Sequence, residues 1–232
     1  MSLEDFFESN YQTACEMQRS IIKDSKMKAI AAKSIRDEEL VLSWMRDYGL
    51  FQGIKTEDRK SIVKKYFFLL PEISKMEKGE ERENVEKLFR LILSEFYSTV
   101  GRKWLSATSK LLWCSYPDHV VIYDAFVERS LVILQGIVPY LASMPRIKSS
   151  PNIKSWSDID AAIDFYMNYQ DMVLAIANEH EGQLSRLRKQ YNETYAHDIR
   201  IIDKLLWMLG NPNQEFTLNE VQCNTSQIVA LK

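Results

Sequence analysis

The sequence predicts an all-α protein, and three observations predict it. Only 7 glycines and 6 prolines interrupt 232 residues, so helix breakers are scarce. Long stretches are built from Glu, Lys, Leu, Met and Ala, the residues that lose least on entering a helix. Apolar residues recur at intervals of three and four, the spacing of one buried helix face.

Each element follows from that pattern. Between Arg36 and Leu50, the residues Leu40, Val41, Trp44, Met45 and Tyr48 share a face and Gly49 terminates the helix. Thr56 reads as an N-cap followed by acidic Glu57 and Asp58, opening a helix through Ile62, Val63, Tyr66 and Phe67 that stops near Pro71. Lys75 to Asn84 is nearly all charge and reads as a solvated loop. It leads into a Val85 to Val100 helix whose buried face carries Val85, Leu88, Phe89, Ile92 and Phe96.

Beyond Gly101, a short helix is expected over Ser106 to Cys114, ended by Pro117, and then an extended run from Val120 to Tyr123. Asp124 stands as the N-cap of a helix burying Phe126, Val127, Leu131, Val132 and Leu134. The polar stretch Ser143 to Ser155, with Pro145 and Pro151, is a loop. Ser157 and Asp160 resemble a capping box before a long helix with Ile163, Tyr166, Met167, Met172, Ile176 and Ala177 inside. A last helix, Glu193 to Leu209, ends at Gly210-Asn211-Pro212. The whole is expected as one compact helical domain over 1–232, divided into lobes of about 1–100 and 101–210, with a polar tail over 211–232.

Composition excludes several function classes. No apolar run reaches the roughly 18 residues that span a bilayer, and Met1 to Asn10 lacks a signal-peptide pattern, so a cytoplasmic protein without membrane contact is expected. Cys15, Cys114 and Cys223 are odd in number and far apart, as suits reduced thiols. His119, His180 and His197 are the only histidines and none is spaced for zinc, so no metal is expected. Phosphate-loop, dinucleotide and zinc-deaminase signatures are absent, so no cofactor is expected either. With 30 basic against 32 acidic side chains, any nucleic-acid contact must come from a local basic face rather than bulk attraction. Arg186-Leu187-Arg188-Lys189 and the lysines Lys23, Lys26, Lys28 and Lys33 are either such a face or ordinary solvated helix surface.

The chemistry-bearing stretch is Ser109-Lys110-Leu111-Leu112-Trp113-Cys114-Ser115-Tyr116-Pro117-Asp118-His119-Val120-Val121-Ile122-Tyr123-Asp124. With Ser106 as N-cap, Lys110 falls in the first helical turn, where the helix dipole disfavours a cation. A lysine so placed and partly desolvated by Trp113, Tyr116 and Tyr123 has a lowered pKa, and a free amine is the nucleophile of Schiff-base chemistry. Bringing an amine from about 10.4 to near 7 withdraws roughly 4–5 kcal/mol from its cation, which requires burial besides the dipole. A helix rising about 1.5 Å per residue and an extended return of about 3.3 Å per residue would let Asp124 come back to the level of Lys110. The simpler readings stay open: Asp124 as cap alone, Lys110 as a solvated lysine, and the three aromatics as core.

Lysine in an opening turn, then Tyr116-Pro117-Asp118, then Val120-Val121-Ile122-Tyr123-Asp124-Ala125-Phe126-Val127, resembles the core of the helix-hairpin-helix DNA glycosylase superfamily. In particular it is similar to the bacterial proteins with the oxoguanine DNA glycosylase fold, over about twenty residues. The resemblance implies a two-lobed helical fold and a DNA N-glycosylase with lyase chemistry on a damaged or mispaired base flipped from the duplex. It assigns Lys110 as the nucleophile and Asp124 as the assisting carboxylate. The superfamily carries a Gly-x-Gly hairpin ahead of the lysine; Ser106-Ala107-Thr108 stands there instead. DNA contact is then expected from Arg102, Lys103, Ser106, Thr108 and Ser109, and a base pocket from Trp113, Tyr116 and Tyr123. Two other readings remain: a DNA-binding protein of this fold without catalysis, and a helical protein-protein interaction module of a bacterial defence or stress system.

Overall fold

A computed structural model describes residues 2–17, 21–33, 35–75, 81–101, 104–191 and 197–211, the side chains of residues 21 and 22 excepted. Among these residues the regular structure is helical throughout, with no strand. Two helices precede the first one expected. α1 (Leu3–Glu16) opens on a capping box in which Ser2 Oγ accepts from Asp5 N and Ser2 N donates to the Asp5 carboxylate, both at 3.1 Å. Hydrogen bonds to the carboxylate, first from the Ser2 backbone N–H and then from the Ser2 side chain, hold the Asp5 carboxyl below its usual pKa. α2 spans Ile21–Lys33.

α3 (Glu38–Asp47) is capped by Asp37, which accepts from Leu40 N at 2.9 Å. It is followed by the expected terminator, Gly49, at φ +64°. α4 (Thr56–Ile73) corrects one expectation. Thr56 is the first helical residue and Lys55 the cap, with no side-chain bond. The helix stops near Pro71 as expected, with Pro71 in its last turn and Ile73 its last residue. α5 (Glu81–Val100) starts inside the charged stretch expected as loop, because Glu81 and Glu83 suit the positive end of a helix. Residues 76–80 of that stretch lie outside the described residues.

α6 (Leu105–Ser115) begins on Trp104, which makes Ser106 its second residue rather than its cap. Val120 to Tyr123 is irregular and buried. α7 (Ala125–Gln135) is capped by Asp124 as expected, but its buried stripe is Val127, Leu131 and Leu134, with Phe126 half-buried and Val132 exposed. α8 (Pro139–Ala142) starts with proline at its first position. After the expected loop, a 3-10 turn at Trp156–Asp158 carries the capping box on Ser155 and Asp158, two residues before the expected pair. It runs into α9 (Ile159–Glu179). α10 (Glu181–Gln190) has no counterpart among the expected elements, and α11 spans Asp198–Gly210, the expected start at Glu193 lying outside the described residues.

The chain forms two units, interleaved in sequence, so the expected cut near residue 100 falls inside one of them. The first unit comprises Met1–Arg19, Tyr123–Ser149 and Asn168–Lys232. In it α11 packs on α7 and α1, and α1 on α10. The α7–α11 approach depends on Gly210: a Cβ there would stand 1.9 Å from the Phe126 carbonyl oxygen. Ser130 Oγ bonds the Leu206 carbonyl across the same seam at 2.6 Å. Buried Gln135 ties down the loop, donating to the carbonyls of Met144 (3.0 Å) and Pro145 (3.1 Å) and accepting from Ile147 N (3.0 Å).

The second unit comprises Ser20–Ile122 and Ser150–Met167. α2 packs on α3 and α6, α4 on α3 and α5, and α5 on α6. The expected faces are inside: Val85, Leu88, Phe89, Ile92 and Phe96 of α5, with Ile163, Tyr166 and Met167 of α9. Tyr166 stacks on Phe89 at 3.7 Å, and its hydroxyl donates to the Val121 carbonyl at 2.8 Å, which fixes the irregular run after α6. No helix among the described residues is long and apolar enough to cross a membrane.

Candidate functional site

The feature that sets α6 apart is how much polarity it buries. Every residue from Ala107 to Cys114 is buried, which encloses Thr108, Ser109 and Lys110 in protein. Burying a hydroxyl or an ammonium is unfavourable unless it is bonded. Ser109 Oγ bonds the Ser106 carbonyl at 3.2 Å, while Thr108 Oγ1 has no hydrogen-bond partner among the described residues.

Lys110 is 4% exposed. As the sixth residue of α6 it stands beyond the first turn, so the helix dipole matters less than its surroundings. Its Nζ donates to Ser106 Oγ, one turn earlier, at 2.7 Å, and lies 5.6 Å from the Tyr48 ring centroid. That separation is within cation–π range. Tyr48 follows the last turn of α3, and its hydroxyl donates to both oxygens of Asp24, at 2.9 and 3.0 Å. Trp44 Nε1 donates to the same carboxylate at 2.8 Å. Asp24, on α2, is 1% exposed. One turn further along α2, Lys28 Nζ sits 4.8 Å from the Trp113 ring. A buried carboxylate and a buried ammonium therefore meet the same tyrosine, one at its hydroxyl and the other at its ring face.

Asp24, Trp44 and Tyr48 were not singled out by their chemistry in the sequence. The bonds among them join residues 20 and 24 positions apart, and no local motif marks them. One signal does exist: Asp24 is in register with buried Met27 and Ala31, three and seven residues on, so a carboxylate occupies the apolar stripe of its helix.

The other expected site residues are dispersed. Arg102 and Lys103 lie outside the described residues. Ser106 is half-buried, and Thr108 and Ser109 are fully buried. Trp113 is core, and half-buried Tyr116 bonds the Ile73 carbonyl through its hydroxyl. Tyr123 belongs to the first unit, bonding Glu128 at 2.6 Å and meeting Tyr169 edge-on at 5.3 Å. Asp124 belongs there too: its Oδ1 accepts from Phe126 N at 3.0 Å, and its own amide donates to the Tyr169 hydroxyl at 3.3 Å. The structure thus joins Lys110 to Ser106 and Tyr48, and sets Tyr123 and Asp124 in the other unit.

Part of the candidate basic face is engaged. Arg186 holds Glu8 through two bonds at 2.7 and 3.1 Å, Arg188 pairs with Asp198, and Lys23 pairs with Asp47. The Arg186 pairing lowers the Glu8 carboxyl's pKa and raises that of the guanidinium. His119 is exposed. Cys15 and Cys114 are buried, and Cys223 lies outside the described residues. Among the described residues, no three His, Cys, Asp or Glu side chains cluster as metal ligands. No family model, curated protein or solved structure matches the chain.

Proposed function

We propose that the chain is a DNA N-glycosylase with lyase activity, acting on a damaged or mispaired base through Lys110. The observation that carries this reading is a buried lysine amine on α6, 4% exposed, followed in order by an irregular buried run and an Asp-capped helix, the order that the resemblance to helix-hairpin-helix glycosylases leads one to look for. A solvated lysine needs no such enclosure.

In the proposed reaction the neutral Lys110 amine adds its lone pair to C1′ of the flipped nucleotide. The C1′–N bond to the base breaks, and the base leaves with that pair and takes up a proton. Opening of the sugar ring moves the C1′–O4′ pair and the amine proton onto O4′, leaving an imine. Loss of a C2′ proton then expels the 3′ phosphate, and water hydrolyses the imine to free the lysine. The flip makes C1′ and the base edge reachable. Asp124, which caps α7, takes the assisting role by resemblance.

Borohydride tests this directly, since it reduces the imine to a stable protein–DNA bond. Wild type incubated with duplexes carrying an abasic site or oxidised guanine yields an adduct, and Lys110→Ala yields none. A wild type that binds these duplexes without an adduct overturns the catalytic reading. That result favours the second reading, a DNA-binding protein without catalysis. Failure to bind DNA at low salt, where phosphate contacts are strongest, leaves the protein-interaction module.

A further inference from the structure

Asp24, Tyr48 and Lys110 form a linked arrangement that the resemblance does not assign. We infer that Asp24 is the positioning carboxylate of the α6 amine: through the Tyr48 hydroxyl it sets both where the Lys110 amine points and the pH at which that amine loses its proton. This inference rests on the reading of Lys110 as the reacting amine, but it concerns the side chains of one unit and is testable without DNA.

The geometry assigns each part. The Asp24 carboxylate takes the Tyr48 hydroxyl on both oxygens, at 2.9 and 3.0 Å, and takes the indole of Trp44 at 2.8 Å, so the tyrosine ring is held in one orientation from its far end. A phenol that donates to a carboxylate gains electron density, which makes its ring face a better seat for a cation. Lys110 Nζ is 5.6 Å from that ring and is fixed on its other side by Ser106 Oγ at 2.7 Å. The tyrosine thus transmits the negative charge on α2 to an amine on α6, and its ring, held by Asp24, sets the amine's direction together with the Ser106 hydroxyl.

Other charged groups on the packed helices have their own contacts among the described residues. On α2, Lys28 lies over Trp113 at 4.8 Å and Lys23 pairs with Asp47 of α3. On α5, Glu95 pairs with Lys65 of α4 at 2.8 Å. A nearby carboxylate favours an ammonium and a nearby cation disfavours it, so the Asp24 charge is the one expected to raise the pH at which Lys110 loses its proton. Trp44 and Tyr48 supply Asp24 with hydrogen bonds, the condition for keeping a carboxylate in an enclosed place.

The experiment follows the Cε carbon of lysine by NMR in full-length protein with ¹³C-labelled lysine, the Lys110 signal being the one that Lys110→Arg lacks. In Asp24→Asn, which still accepts from Trp44 and Tyr48 but carries no charge, the Lys110 signal titrates at lower pH than in wild type, by about half a unit or more. Tyr48→Phe keeps the ring and removes the link to Asp24; it shifts the midpoint in the same direction by less. A purely structural Asp24 leaves the midpoint where it was in folded Asp24→Asn, and that outcome overturns the inference. Should Asp24→Asn fail to fold, an unmoved midpoint in Tyr48→Phe overturns it equally. A moved midpoint in a protein that forms no borohydride adduct defeats the glycosylase reading and leaves this one standing. An adduct with an unmoved midpoint does the reverse.

Discussion

α6 and α7 have the same length, 11 residues each, and carry the two side chains the sequence singles out, yet they are built on different terms. α7 opens on an aspartate whose carboxylate bonds the Phe126 amide, and it buries one stripe, leaving Ala125, Arg129 and Val132 outside. Its construction follows from helix stability alone. α6 opens on a tryptophan without a side-chain cap and is enclosed almost all round. A helix so enclosed is ordinarily apolar throughout, but this one holds Thr108, Ser109 and Lys110 inside. The capping bond accounts for Asp124, whereas the enclosed Lys110 amine depends on the Ser106 hydroxyl and the Tyr48 ring around it. The proposed role of Lys110 and the cap role of Asp124 can therefore be tested separately.

The largest expected effect tests the structural half of that contrast. Gly210→Ala drives a methyl into the Phe126 carbonyl oxygen, and neither backbone can yield without parting α7 from α11. A loss of about 3 kcal/mol in urea unfolding, followed by circular dichroism, is expected. A loss near zero would mean that the α7 seam is loosely held. In the other unit, Asp24→Ala removes the acceptor of both Trp44 Nε1 and the Tyr48 hydroxyl. It is expected to lower stability by about 2 kcal/mol, the cost of leaving enclosed donors unmatched. Tryptophan fluorescence is a suitable probe because Trp44 is itself buried in that corner.

Coupling between charges gives a finer measure. Lys110→Met and Asp24→Asn, made singly and together, are expected to depart from additivity by about 1 kcal/mol, the behaviour of groups sharing one network. Additive losses would show that Tyr48 fails to link them, and would move Lys110 back toward the kind of account that suffices for Asp124.

The sequence foretold most of what depends on local spacing. Buried faces on α5 and α9 are read correctly because three-and-four periodicity records directly which side of a helix meets the core. Helix starts are less legible, since several residues near a start offer side chains able to cap. Ser157 and Asp160 have the same spacing as Ser155 and Asp158, and only the folded chain shows which pair bonds. Ser106 has a side chain able to cap and Trp104 has none, so the sequence places the start of α6 at Ser106 and Lys110 too early, in the first turn. The Asp24–Tyr48–Lys110 arrangement was out of reach because its contacts are set by how α2, α3 and α6 pack. The division into units escaped for a related reason: its segments are far apart in the chain.

The smallest effect is the most discriminating for Asp124. As an N-cap, Asp124→Ala should lose about 1 kcal/mol, while Asp124→Asn should lose only a few tenths, because asparagine accepts the Phe126 amide equally well. Stability measured by urea unfolding therefore separates alanine from asparagine if capping is the whole role. Activity separates them differently. A carboxylate needed for its charge fails in both variants, so an asparagine protein as stable as wild type but devoid of borohydride adduct gives Asp124 a chemical part. An asparagine protein that still forms the adduct confines Asp124 to its cap and leaves α6 as the helix that carries the chemistry.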